Sequence, residues 1–138
     1  MTYITRATAA AAAAVLAAAC LLAAGPAQAA SRATPSGDWL HLTVTRGESP
    51  SAESHGTLLL CDPPQGHPHA ADACAELAAA GGDIARIPQK NVFCPMIFAP
   101  VTARAHGQWK GRPVRFQETY TSKCVMNART GVVFALDG

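Results

Sequence analysis

Cysteine and histidine supply the side chains most able to do chemistry in this sequence, with five of each. Cys61, Cys74, Cys94 and Cys124 can ligate a metal or pair as disulfides. Zinc sites draw ligands from close Cys-x-x-Cys pairs, and no two of these cysteines stand that near, so two disulfides are expected and no metal is assigned. Four cysteines allow three pairings, and the spacing alone does not choose among them. His67 and His69 flank Pro68 inside the proline-rich stretch Asp62–Ala70, where solvated loop imidazoles are expected rather than ligands or catalysts. Serine, histidine and aspartate are all present, yet no Gly-x-Ser-x-Gly elbow occurs and the chain is short for a hydrolase. Neither an enzyme nor a cofactor is expected.

The other conspicuous feature is Asn91–Pro100, ten residues without a charge. Such a run can be a buried core strand. Pro95 and Pro100 oppose that reading, because proline donates nothing to a sheet ladder and is confined to edges, bulges or loops. Pro95 also biases Cys94 towards an extended backbone. An extended, apolar, proline-braced segment at a surface suits the apolar cleft of another protein. Pattern alone leaves core strand and exposed binding loop both open.

These residues must be positioned by one domain, the number that 138 residues suggest. Charged residues are 14% and the net charge is +2, a balance that gives no footing for nucleic acid as a partner. The apolar fraction of 49% mixes two segments, since half of the alanines fall in the first 30 residues. Residues 1–29 carry Arg6, an uncharged run from Ala7 to Ala24, then Gly25, Pro26 and the small tripeptide Ala27, Gln28, Ala29. This is the layout of a cleaved secretory signal, not of a membrane anchor. Cys20 is followed by Leu21 and Leu22, so it lies within the apolar run and leaves with the signal. The expected protein is secreted and extracellular, in an oxidising setting that favours disulfides. Residues 30–38 read as a flexible arm and 39–138 as the folded domain.

Within the domain, Leu40, Leu42 and Val44 alternate with polar residues and predict a half-buried strand. After a turn holding Gly47 and Pro50, Gly56–Leu60 predicts a second strand paired with the first as a hairpin. Asp62–Ala70 reads as irregular loop. Ala73–Ala80 predicts a helix with Asp72 as N-cap and Gly81 as the stop, and Asp83–Ile87 a further turn ended by Pro88. Val101–His106 and Val114–Thr121 read as strands around a turn bearing Trp109, and Val132–Leu136 as a last strand. The sum is an α+β domain with an antiparallel sheet.

Four stretches together resemble one known family. Cys94-Pro95-Met96-Ile97-Phe98-Ala99-Pro100-Val101 is similar to the reactive-site loop of the Streptomyces subtilisin inhibitor family. ACAELAAAGGD at Ala73–Asp83 resembles that family's ACADLAAxGGD, Gly107–Gly111 its tryptophan turn, and Cys124, Met126, Asn127 and Ala128 its CxMNA. The resemblance implies a five-stranded antiparallel sheet with two short helices, usually a homodimer, that blocks extracellular serine proteases as a substrate-like, reversible inhibitor. It implies disulfides Cys61–Cys74 and Cys94–Cys124, and a reactive bond between Met96 and Ile97. Phe93, Cys94, Pro95 and Phe98 complete the protease-contacting loop, with Ser122 and Cys124 as its support. Subtilisin-type enzymes are the implied partners, chymotrypsin-type ones the weaker. The chain departs from the pattern at Ser122, where members often carry asparagine, and in a shorter Cys61–Cys74 loop. The rival reading is a secreted, disulfide-stapled binding module of the same fold without protease inhibition.

Overall fold

The structure is a computed structural model that describes residues 34–49 and 51–137. The expected signal segment and the first part of the expected arm, through Ala33, lie outside the described residues.

Strands β1 (Trp39–Arg46) and β2 (Ser54–Cys61) form the expected hairpin, with Leu42 opposite Thr57. Period-two alternation drives it: Leu40, Leu42 and Val44 are buried while their neighbours along β1 are only half-covered. β4 (Val101–Trp109) lies antiparallel against the other side of β1 and turns into β5 (Arg112–Tyr120). That turn is two residues long, and both take positive φ, +46° at Lys110 and +75° at Gly111. Such a pair matches the right-handed twist of the flanking strands. Asp38 accepts from the Lys110 N–H at 2.6 Å, closing the same end of the sheet.

The five strands, all antiparallel, run in the order β3 (Pro64–Gln65), β2, β1, β4, β5. The fifth strand is not the expected Val132–Leu136. It is β3, a two-residue edge piece inside the stretch read as loop. Proline survives there because an edge strand can leave one side of its ladder unfilled. Val132–Leu136 instead begins within a turn and packs into the core, where Phe134 stacks on Phe116 at 5.8 Å between ring centres.

Two helices cover one face of the sheet. α1 (Ala70–Ala79) begins earlier than expected, at a His69 N-cap that makes no side-chain bond, and Asp72 sits in its first turn beside the positive helix end. Gly81 and Gly82 end it with positive φ, and a Cβ on Gly82 would collide with the Trp109 ring. A single 3-10 turn follows at Ile84–Arg86, capped by Asp83. α2 (Lys123–Thr130), which pattern did not indicate, supplies Met126 to the core. Ala73 and Leu77 of α1 pack with it against Leu40, Leu42 and Leu59. Both disulfides take the implied pairing, Cys61–Cys74 with Cα atoms 5.5 Å apart and Cys94–Cys124 with 5.7 Å.

Candidate functional site

Between the 3-10 turn and β4 the chain runs for residues 88–100 with no regular secondary structure. Of the six large apolar side chains that stand exposed among the described residues, five are in this run: Val92, Phe93, Met96, Ile97 and Phe98. Phe93 is 93% exposed and Met96 as exposed as in a free peptide, at 104%. The segment is therefore a presented loop, not a core strand.

Three sets of contacts hold it. At its start the Lys90 N–H donates to the Ala128 carbonyl of α2 at 2.7 Å, and the Lys90 ammonium lies 3.0 Å from Glu76. In the middle, Cys94 is bonded covalently to Cys124 on α2. At its end the Ala99 N–H donates to the Thr121 carbonyl at 2.9 Å, and the Pro100 carbonyl accepts from the Gly47 N–H at 2.8 Å. Met96 is the unsupported apex between Cys94 and Ala99. Pro95 fixes its own φ and biases Cys94 towards an extended backbone, and the Ile97 N–H donates back to the Pro95 carbonyl at 2.8 Å. Among the described residues the N–H groups of Phe93, Cys94, Met96 and Phe98 donate to no backbone carbonyl. A preformed main chain with free donors and outward apolar side chains has what strand addition to another protein requires.

α2 is the platform for this loop. Ser122 is its N-cap: the hydroxyl accepts from the Val125 N–H at 3.3 Å, so its own bond is to the helix that carries Cys124. Gly131 ends the helix, and a Cβ there would collide with the Glu76 carboxylate, which accepts from the Val132 N–H at 2.7 Å. Gly47, Thr121 and Ala128 act here through backbone groups, which leave no signature in residue type, and Lys90 adds to its backbone bond an ion pair with Glu76, 14 positions away in sequence, that no local pattern contains.

The histidine pair differs from expectation. His67 is buried, its Nε2 donates to the Val133 carbonyl at 3.0 Å, and its Nδ1 accepts from the His69 N–H at 2.8 Å. Desolvation, set against the Val133 bond and aided by nearby His69, lowers its pKa below the ordinary value of 6.5. His67 is a neutral structural link between the Cys61–Cys74 loop and the C-terminal segment, not a solvated side chain. Among the described residues no three His, Cys, Asp or Glu side chains are grouped to hold a metal, and no helix is long and apolar enough to cross a membrane.

Residues 35–122 match the family described as subtilisin inhibitor-like. A relative from Streptomyces avermitilis, provisionally named a serine protease inhibitor, is 54% identical over 133 residues, which cover 96% of this chain and 90% of the relative. The subtilisin inhibitor of Streptomyces albogriseolus is 41% identical over 101 residues, 70% of each chain. Among solved structures, Streptomyces caespitosus sermetstatin in complex with Bacillus licheniformis subtilisin superposes with a TM-score of 0.56 at 33% identity, covering 70% of this chain and 96% of that one.

Proposed function

The chain belongs to the subtilisin inhibitor-like family, and from that membership we propose that it blocks subtilisin-type serine proteases by offering Met96–Ile97 as a bond that is cut and rejoined without release. It is a serine protease inhibitor rather than an enzyme. The observation that carries the reading is the exposed loop Phe93–Phe98, apolar, proline-braced and tied to α2 by Cys94–Cys124.

The loop adds to the protease's substrate-binding strand, with Met96 in the primary pocket, Phe93, Cys94 and Pro95 on the acyl side and Ile97 and Phe98 on the leaving side. The enzyme's serine oxygen bonds to the Met96 carbonyl carbon, the Met96–Ile97 C–N bond breaks, and the proton passes to the Ile97 nitrogen. Because Cys94, Ala99 and Pro100 hold both flanks, that amine stays at high effective concentration and re-forms the peptide bond faster than water hydrolyses the ester. Little ordering entropy opposes binding, since the loop is shaped beforehand. Complexes of this kind bury about 1,600 Å² and rank among the tightest protein pairs. Chymotrypsin-type enzymes are bound more weakly. Residues 1–29 direct secretion, and the extracellular form is a homodimer.

Titration of subtilisin with the secreted protein tests this. Stoichiometric loss of activity is expected, with prolonged incubation yielding a single new N-terminus at Ile97. Absence of inhibition, or cleavage at another bond, overturns it and leaves a binding module of the same fold.

A further inference from the structure

At the end of the β4–β5 hairpin farthest from Met96, an open groove lies between the glycine end of α1, the 3-10 turn and β5, lined among others by Arg86, Trp109, Arg112 and Arg115. All three arginines are exposed, and among the described residues the ion pairs engage Arg46, Lys90 and Lys123 but none of these three. Trp109 is only 4% exposed, and its indole N–H has no acceptor. A buried donor left unpaired is unusual, because buried polar groups ordinarily find acceptors, and here it lies beside three solvated guanidinium groups that are free to take an anion. One acid, Asp83, shares the groove, and one of its oxygens is already taken by the Ala85 N–H at 3.0 Å. The lining is thus rich in donors and net positive. Arg112 and Arg115 are three apart on an edge strand, so they leave it on opposite faces and flank the edge.

We propose that this groove is a binding site for phosphate or sulfate oxyanions, with Arg86, Arg112 and Arg115 as its charged donors. Planar guanidinium forks match the paired oxygens of such groups, and three of them around one groove suit an anion with several oxygens to share. β4 separates the groove from the reactive loop, its nine residues spanning about 30 Å. An anion held here therefore leaves the loop free for a protease. The phosphate could arrive as a free ion or as part of a polymer, and the two differ in how affinity scales with chain length.

The test is NMR titration of the isotope-labelled secreted protein with sodium orthophosphate and with a polyphosphate of defined length, against sodium chloride at matched ionic strength. Saturable shifts are expected at the Trp109 indole N–H and at the amides of Gly82, Asp83 and Arg86. Arg112→Gln with Arg115→Gln, and separately Arg86→Gln, should weaken binding by about tenfold or more while subtilisin inhibition stays unchanged. Tighter binding per phosphate for the polymer assigns the site to a polymeric source, and equal binding to the free ion. No saturable shift at the Trp109 indole, or equal affinity in the parent and both arginine variants with their folds intact, overturns the proposal.

Discussion

Met96 is fully exposed, so its side chain has its packing still to make, and under the proposed mechanism the pocket that receives it determines which enzymes are stopped. Methionine is flexible and apolar, so it fills several hydrophobic pockets but offers nothing to a pocket carboxylate. Met96→Lys should therefore strengthen trypsin inhibition by at least about a hundredfold, a buried charge pair replacing an uncompensated carboxylate. Inhibition constants for trypsin and subtilisin read this directly, and no change in either would remove Met96 as the primary contact. His67 carries a different prediction, about stability. Its folded pKa is lowered, so the native state resists a proton that the unfolded chain accepts near pH 6.5. The stability it contributes is present above pH 6.5 and is lost as pH falls through the folded value. Melting temperatures of the parent should decline on acidification below pH 6.5, and His67→Gln should flatten that part of the decline. At neutral pH His67→Ala should cost about 1–3 kcal/mol, through the unpaired Val133 carbonyl and His69 N–H. Parallel pH profiles for parent and His67→Gln would assign the acid sensitivity to other groups.

Loop, helix and disulfide act as one unit, in which α2 is the rigid side. Replacing Cys94 and Cys124 by serine opens a closure spanning 30 positions and should cost roughly 3–4 kcal/mol in the chain-entropy picture. Cys61–Cys74 and the sheet core persist, so the domain should still fold, but the reactive segment loses its central anchor. Ile97 can then leave after cleavage, and the inhibitor becomes a substrate. Subtilisin mixed with the variant should regain activity over hours while mass spectrometry reports a cut after Met96. Equally durable inhibition would place the rigidity in the Ala99 and Pro100 hydrogen bonds instead. The elements themselves were unevenly legible. β1 and α1 announced themselves by period and composition. α2 did not, because in Lys-Cys-Val-Met-Asn-Ala-Arg-Thr the helix formers Lys, Met, Ala and Arg are interrupted by Cys, Val, Asn and Thr over only eight residues, and its helix is fixed by the Ser122 cap, the disulfide and the burial of Met126. Val132–Leu136 looked like a strand because burial, not pairing, selected its apolar residues. The site was legible as a string of unusual residues, yet exposed loop and buried strand differ only in what surrounds them, which a local pattern does not contain.

On the scale of the whole molecule the sheet has one covered face and one open to solvent in the single chain. The helices and the C-terminal segment pack on the side of Leu40, Leu42 and Val44, whereas Trp39, His41, Thr43 and Thr45 of β1 face the other way with Thr102, Arg104 and His106 of β4. That open face is not uniformly polar: Trp39 meets His106 edge-on at 6.4 Å, and His41 lies against His106 at 4.9 Å, forming an aromatic cluster on a strand at the middle of the sheet. An antiparallel sheet tolerates water on one side, so the fold does not require a second copy, but a flat aromatic and threonine surface suits an isologous pairing of two such faces. The secreted protein should sediment at twice its monomer mass at micromolar concentration. In a two-fold interface each substitution occurs twice, so Thr43→Arg sets like charges across the contact and should weaken the dimer by at least about a hundredfold. Subtilisin inhibition by that variant should stay at parental strength, because the reactive loop is anchored to Gly47, Thr121, Cys124 and Ala128 and not to the open face. Monomeric parent protein in analytical ultracentrifugation would end the dimer proposal, and a Thr43→Arg dimer of unchanged affinity would move its interface off this face.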